Sequence, residues 1–259
     1  MSTATLNGVT ILRGRVTLRL VGAWDAEVWV EGTDTAAVTG AVVLELGGVP
    51  MRGWATPGKD AGGRVSVRVV GGAGGLQTSV SPQGYVNATR RVVLADALAV
   101  GGEAISLLSD ATLDAALPHW SRKAGTVAEA VRRAVEHAGE GVHWRVLLDG
   151  TVWVGSESWL PFELEGDPVD ESPTNDRLVF PVEAAAILPG VTFRGIRVAS
   201  VRYELSHRSL RAHVSGGEKD ALADELSKIV KRETSGKDLD RTFVARIVAQ
   251  NGEIGRAHV

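Results

Sequence analysis

The sequence predicts a mostly β protein of the α+β class, in which two antiparallel β sets flank a small α/β unit. Short β-branched runs separated by glycine-rich turns fill residues 9–70 and 177–216. Between these runs, a helix with its own capping signal precedes a hairpin with an Asp-Gly turn. We therefore expect a first β domain over residues 1–80, an α/β unit over 81–160 and a second β domain over 161–217.

The first β set is predicted from four strand-like runs, VTILRGRVTLRLVG, AEVWVEG, GAVVLELGGVPMRGWAT and GRVSVRVVGG. In the last run, Val65, Val67 and Val69 alternate with polar residues, which is the period of a strand with one buried face. The glycine-rich stretch 71–75 then predicts a loop.

Two helices are expected in the α/β unit. The first lies near Arg91 to Val100. The second begins after Thr126, which forms a capping box with Glu129, and it ends at Gly139. Its apolar residues recur at helical spacing and form one stripe: Val127, Ala130, Val131, Ala134, Val135 and Ala138.

A β-hairpin follows this helix directly. HWRVLL and TVWVG are separated by Asp149-Gly150, a dipeptide that tolerates the positive φ angles of a two-residue type I′ turn. Counting across such a turn places Trp144, Val146, Leu148 and Trp153 on one face. We expect that face to pack against the apolar stripe of the helix.

An acidic segment leads into the second β set. The stretch ELEGDPVDESPTNDR contains two prolines and few apolar residues, so it predicts a connector or an exposed loop. The following residues alternate as strands, with a turn at Pro189-Gly190 and a short SHRS hairpin turn.

The C-terminal residues predict a connecting helix over 218–240 and a strand over 241–252. One side of the helix carries Leu222, Leu226, Ile229 and Val230. The last seven residues, 253–259, do not continue the strand. They can be back-translated into a sequence that, from its second base, matches the start of a common sequencing adapter, so we expect the natural protein to continue past about Gly252, although a natural frayed tail remains the alternative.

Composition excludes several classes of protein. A hydrophobic content of 44% fits a folded globular chain, and a net charge of −3 argues against a sequence-wide nucleic-acid footprint. The absence of cysteine excludes disulfides and thiolate metal sites. No stretch resembles a signal peptide or a run of about 20 apolar residues, so we expect synthesis in the cytoplasm and no stable membrane insertion.

No motif predicts catalysis, a metal or a cofactor. GGAGG at 71–75 lacks the spacing of a phosphate-binding loop, and no G-x-S-x-G elbow occurs. His119, His137 and His143 lie near one another in the sequence without a His-x-x-x-His pair. A solvated connector is the better interpretation of four acidic residues that could also bind a cation or act as a glycosidase pair: Asp167, Asp170, Glu171 and Asp176.

The chain has seven tryptophans against two tyrosines and four phenylalanines. Exposed indole faces suit sugar rings, which makes a carbohydrate- or receptor-binding β module an alternative function, with Trp54 and Trp120 as the best candidates. Trp24, Trp29 and Trp144 fall in or beside predicted strands, so packing and subunit contacts are the favoured roles for most of the set.

Several segments, taken in order, resemble the baseplate hub proteins of contractile phage tails, the late-control-gene-D type that also occurs in phage-like injection systems. They are RGRVTLRLVGAWDAEVWVEG, GAVVLELGGVPMRGWA, RVSVRVVGGAGGL, RRVVLADALAVGGE, LPHWSRKAGTVAEAVRRAVEHAGEGVHWRVLLDGTVWVGSESW and ILPGVTFRGIRVASVRYELSHRSLRAHV. The resemblance covers about residues 8–215. No lysozyme-like insertion is present, which leaves any wall degradation to another chain or to a lost part.

The resemblance implies two tube-like β domains in a trimer that forms a pseudo-sixfold ring between tail tube and spike. It also implies that the strand at 241–252 begins a truncated oligonucleotide/oligosaccharide-binding-type barrel. The implied partners are the tail tube protein, a central spike or the chain's own lost spike domain, and wedge proteins, with DNA only as passing cargo in the virion. For the ring contacts we expect the β edges around Val16–Leu20 and Val65–Val69.

Overall fold

Six N-terminal strands of the computed structural model form a closed antiparallel barrel, because the sheet order β1-β4-β5-β6-β3-β2 returns from β2 to β1. The strands are β1 Ala4–Leu6, β2 Val9–Arg19, β3 Asp25–Glu31, β4 Gly40–Leu46, β5 Val49–Asp60 and β6 Arg64–Gly71. The structure describes residues 4–32, 35–60, 62–165, 168–172, 177–206 and 209–216, all within the compact unit Met1–Gly217.

The barrel interior follows from the alternation seen in the sequence. Val65, Val67 and Val69 are buried, whereas Arg68 on the same strand is exposed, as predicted. Asn7 and Gly8 both have positive φ, so they form the tight two-residue turn that joins β1 to β2.

The α/β unit consists of β7 Ser79–Val80, β8 Gln83–Thr89, α1 Arg90–Val100, β9 Ala116–Arg122, β10 Gly125–Thr126, α2 Val127–Glu136, β11 Val142–Val146 and β12 Val152–Ser156. The capping box of Thr126 and Glu129 is present in both directions, and α1 lies where the sequence predicts it. Helix α2 ends at Glu136, ahead of the predicted stop at Gly139, because the backbone turns at His137. Five of the six predicted stripe residues are buried, and Ala138 is half-buried.

The predicted type I′ turn of the β11–β12 hairpin is wrong. Gly150 has positive φ but Asp149 does not, and the N–H of Gly150 donates to the carbonyl of Leu147 at 3.1 Å. The loop is therefore one residue longer than predicted. It is of the type in which an ordinary turn is followed by a glycine with positive φ.

This longer loop shifts the strand pairing by one residue. Val146 pairs with Val152 and Trp144 pairs with Val154, which places Trp153 on the opposite face, beside Arg145. The prediction that Trp153 shares the inner face with Trp144 and Val146 is therefore wrong.

The second β set contains β13 Pro161–Phe162, β14 Asp170–Ser172, β15 Arg177–Val182, β16 Thr192–Phe193, β17 Ile196–Ser206 and β18 Ser209–Gly216. Strand β17 pairs with β18 on one side and with the second half of β2 on the other. One sheet of twelve strands thus runs from the barrel into the second β set.

The predicted mostly β, α+β class is confirmed. The acidic segment is more than a connector, because Asp170–Ser172 forms a strand against β15 at the end of the sheet, and charged residues are common on edge strands. The predicted helix at 218–240, the strand at 241–252 and the tail at 253–259 lie outside the described residues. The domain boundaries at residues 80 and 160 stay predictions.

Candidate functional site

A row of alternating charges crosses the junction between the barrel and the second β set. Neighbouring strands place these side chains directly opposite one another: Arg68 on β6, Glu27 on β3, Arg15 on β2, Glu204 on β17 and Arg211 on β18. We call these five residues the polar ladder. Cross-strand partners share a face of the sheet, so the ladder forms one outward-facing surface shared by both β sets.

One ion pair lies within the ladder, and further contacts join it to neighbouring side chains. Arg15 Nη2 lies 2.9 Å from Glu27 Oε2, and both side chains are more than half exposed. Glu204 contacts Arg202 at 3.3 Å and His213 Nε2 at 3.0 Å. Exposed pairs of this kind contribute about 0–1 kcal/mol each, so they do little for stability.

A shallow polar pocket of about 410 Å³ lies beside the ladder. Arg15, Arg19 and Arg202 line it together with Asp25 and His213, and Arg19 forms an ion pair with Asp25. Each arginine here has a carboxylate partner, so a passing anion would have to compete with side chains already in place. The surface is hydrated and of mixed charge, which suits transient contact better than tight binding of a polyanion.

The glycine-rich stretch 71–75 is a turn, as predicted, and hydrogen bonds from its backbone hold it in place. Its N–H groups converge on the buried carboxylate of Glu103, which accepts from Ala73 N at 2.9 Å and from Gly75 N at 2.8 Å. Converging backbone N–H groups form the kind of nest that binds phosphates. Here a side chain of the same protein fills that nest.

The three histidines lie on different elements. His119 lies on β9 opposite Val86, His143 lies on β11, and His137 packs its ring 5.2 Å from that of Trp120. Of the acidic candidates, Asp170 and Glu171 lie on β14, whereas Asp167 and Asp176 lie outside the described residues. Within the described ranges, no group of three or more acidic or histidine side chains is placed to hold a metal ion.

The tryptophans have mainly packing roles. Trp24 and Trp144 belong to the core, and the rings of Trp29, Trp153 and Trp159 each lie under an arginine guanidinium, at 5.2, 4.4 and 5.4 Å. Trp54 is 44% exposed, on the barrel strand β5. Trp120 is half-buried on β9, in a separate two-stranded sheet.

The predicted interface edges are wrong. Val16–Arg19 on β2 has β3 on one side and β17 on the other, and Val65–Val69 on β6 has β3 and β5. Both segments are central in the sheet and offer no open edge for a neighbouring chain. Among the described strands, β14 ends the sheet and pairs only with β15.

Sequence patterns missed an exposed apolar turn. Leu107 is 100% exposed and Leu108 is 75% exposed, and both follow Ser106 in the segment between α1 and β9. Two adjacent leucines outside any periodic run were the only signal in the sequence. None of the helices in the described part of the chain is long and apolar enough to span a membrane.

Comparisons with known proteins identify the fold. No protein-family model and no curated protein matches the chain. The solved structures that resemble it include a tail protein from Neisseria meningitidis MC58 (TM-score 0.60, 15% identity, 85% of this chain and 99% of that one). They also include the 43 kDa tail protein of prophage MuSo2 from Shewanella oneidensis (0.60, 12%, 85% and 97%) and the E. coli c3393 protein (0.55, 11%, 84% and 77%). The last is described as a type VI secretion component similar to the T4 bacteriophage tail proteins gp27 and gp5. At these identities the shared property is the fold.

Proposed function

We propose that the chain is a structural component of the baseplate hub of a phage tail or phage-like injection system, where it forms a ring that joins the tail tube to the central spike. The observation that supports this most is the continuous sheet, which unites two β sets in a fold shared with phage tail proteins. The proposal assigns the protein a mechanical role and no catalytic one.

The architecture supports a ring of three copies. Each chain contributes two β sets, the barrel and the strands β13–β18, so three copies would present six β units around one axis. That number matches a sixfold tube on one side and a threefold spike on the other. Among the described strands, the outer edge of β14 has no strand beside it, so a neighbouring copy can pair there.

The polar ladder supports a channel wall. A strongly cationic wall would hold DNA, because lysines and arginines that neutralise phosphates release counterions and gain free energy. In the ladder, Glu27 and Glu204 alternate with arginines, so DNA that passes through would find a hydrated surface that retains it weakly. We propose that this face lines the channel.

The remaining features of the proposal follow from the ring. Its partners are two further copies of this chain, the tail tube protein, a central spike protein and wedge proteins. The chain is made in the host cytoplasm and functions in the virion. The proposed domain boundaries are those predicted from the sequence.

The proposal is tested by the mass of the full chain in solution, measured by light scattering. We expect a particle of about three times 27.3 kDa. A monomer at the highest attainable concentration would contradict the ring.

A carbohydrate- or receptor-binding module is the second candidate, favoured by one observation. Trp54 lies at a groove of about 640 Å³ whose other lining residues include Pro57, Leu76 and Trp144. Such a site predicts that sugars quench the fluorescence of Trp54, and that Trp54→Phe abolishes the quenching. Unchanged fluorescence across a panel of cell-surface sugars would remove this candidate.

A further inference from the structure

The turn from Ser106 to Ser109 presents two leucines to solvent. The side chain of Leu107 is fully exposed and that of Leu108 nearly so. Apolar side chains that protrude together commonly mark contact sites, because each loses contact with water when a partner covers it.

Hydrogen bonds hold this turn firmly in place. The segment lies along β12, where Val152 N donates to the carbonyl of Ala104 and Ser106 N donates to the carbonyl of Val152, both at 2.8 Å. At the tip, Trp153 Nε1 donates to the carbonyl of Leu108 at 3.0 Å, and Leu108 N donates to Ser106 Oγ at 3.2 Å. A turn fixed in this way loses little conformational entropy when it binds.

The same chain carries an apolar pocket of about 260 Å³. Its rim includes Leu160, which is 64% exposed, and Leu188, which is 38% exposed. An apolar cavity of about 150 Å³ is large enough for benzene, so this pocket has room for a leucine side chain. Further apolar lining residues are Leu18, Leu148, Pro189 and Val191.

Turn and pocket match in charge and lie close together. Arg145 and Glu157, which also line the pocket, form an ion pair and neutralise each other, and the Ser-Leu-Leu-Ser turn carries no charge. Trp153 contacts both features. Its indole N–H donates to the carbonyl of Leu108 in the turn, and its ring lies 4.4 Å from the guanidinium of Arg145, which lines the pocket. Since Leu107 is fully exposed, the turn does not fill the pocket of its own chain.

We propose that the Leu107–Leu108 turn of one copy inserts into the Leu160–Leu188 pocket of the next copy. A projection and a matching pocket on one surface produce a head-to-tail contact, and such contacts close into a ring when the rotation from copy to copy adds up to a full turn. Because the turn and the pocket lie close together on one chain, their contact in the ring would lie near its rotation axis. The inference rests on the proposed ring for its partner and adds the residues that hold the ring together.

The first test is a charge-exchange cycle in the full chain, followed by light scattering. Leu107→Lys alone and Leu160→Glu alone should each weaken association by on the order of 100-fold, because each places a charge in an apolar contact. The double variant should recover at least ten-fold, because lysine and glutamate then meet across the interface. Val86→Thr is the control, since Val86 is 67% exposed on β8, which belongs to a different sheet from the β11–β12 hairpin, and does not line the pocket; it should associate like the unaltered chain.

The second test uses the absence of cysteine from the chain. When Leu108→Cys chains are mixed with Leu188→Cys chains, a short bis-maleimide should join the two kinds of chain into covalent dimers, whereas each single variant alone should remain largely monomeric on a denaturing gel. The inference is overturned, and the proposed function stands, if the chain forms trimers that give no cross-linked product and if the charge variants associate like the unaltered chain. If these variants instead abolished only the binding of a tail tube protein, the partner would be another protein and the inference would also fall. A chain that never associates would overturn both.

Discussion

At the scale of single residues, two carboxylates, one buried and one half-buried, fix loops by accepting backbone N–H groups. Glu103 closes the glycine-rich turn by accepting two backbone N–H groups. Asp110 likewise accepts from Thr112 N and Ser156 N, both at 2.8 Å, and so fastens the segment before β9 to the end of β12. In the glycine-rich turn, the carboxylate of Glu103 thus takes the position that a phosphate would take in a phosphate-binding loop.

Replacing Glu103 tests this structural role. In Glu103→Ala, the N–H groups of Ala73 and Gly75 lose their acceptor inside the fold, so the free energy of unfolding should fall by about 2–4 kcal/mol. Urea unfolding measures the change. Glu140→Ala is the control, because Glu140 is exposed, and its substitution should change stability by less than about 0.5 kcal/mol. Equal stability of the two variants would contradict the role of Glu103.

Asp110 predicts a dependence of stability on pH. Burial raises the pKa of Asp110, but hydrogen bonds from Thr112 and from the N–H of Ser156 outweigh this effect and hold the pKa below its ordinary value. The stabilisation is therefore complete above the unfolded pKa of about 4 and is lost as the pH falls through the folded pKa. Asp110→Asn should be less stable than the unaltered chain at pH 7, and thermal unfolding should show the difference shrinking as the pH falls toward 2. A difference that is constant with pH would contradict this assignment.

At the scale of elements, the sequence predicted the features that depend on neighbouring residues. It failed where a shift of one residue in the strand pairing decides which face a side chain occupies. The capping box and the apolar stripe of α2 depend on neighbours within one or two turns, and both are observed. The Asp-Gly hairpin was ambiguous, because glycine at positive φ also fits a loop one residue longer. Because side chains along a strand alternate between its two faces, the one extra loop residue places Trp153 on the face opposite to the predicted one.

The observed turn predicts a specific effect of glycine replacement. Gly150 has φ +85°, and a Cβ there would lie 3.2 Å from Arg52 Cβ, so Gly150→Ala should lower the free energy of unfolding by about 1–2 kcal/mol. Gly84 on β8 is the matched control, because an added Cβ has no atom within 4 Å there. Chemical denaturation should find Gly84→Ala nearly unchanged, and equal losses in both variants would argue against strain at Gly150.

At the scale of the whole molecule, the decisive pairings join distant parts of the chain. Tyr203 on β17 lies opposite Val16 on β2, and no local pattern reports a pairing across so many residues. The polar ladder extends from the barrel to the second β set only because of that pairing, so the sequence predicted the strands but not the surface they share. The exposed Leu107–Leu108 turn was equally hidden, since burial of isolated leucines depends on the final packing.

The ladder predicts how charge controls contact with DNA. Glu27→Gln with Glu204→Gln removes the carboxylate partners of Arg15 and Arg202, so salt-dependent binding of double-stranded DNA should strengthen. The slope of log affinity against log salt should grow in magnitude by about 2 per copy engaged. Glu31→Gln with Glu45→Gln removes the same charge from other exposed positions and serves as the control. The same increase in both pairs would show that only net charge matters.

The central claim is that copies of this chain close into a ring whose channel is lined by the polar ladder. Electron cryomicroscopy of the full-length chain at high concentration tests it directly. We expect threefold rings with an open centre, and a map in which Arg15, Glu27 and Glu204 face that centre. Particles without a channel, or rings that place this face on the outside, would contradict the account.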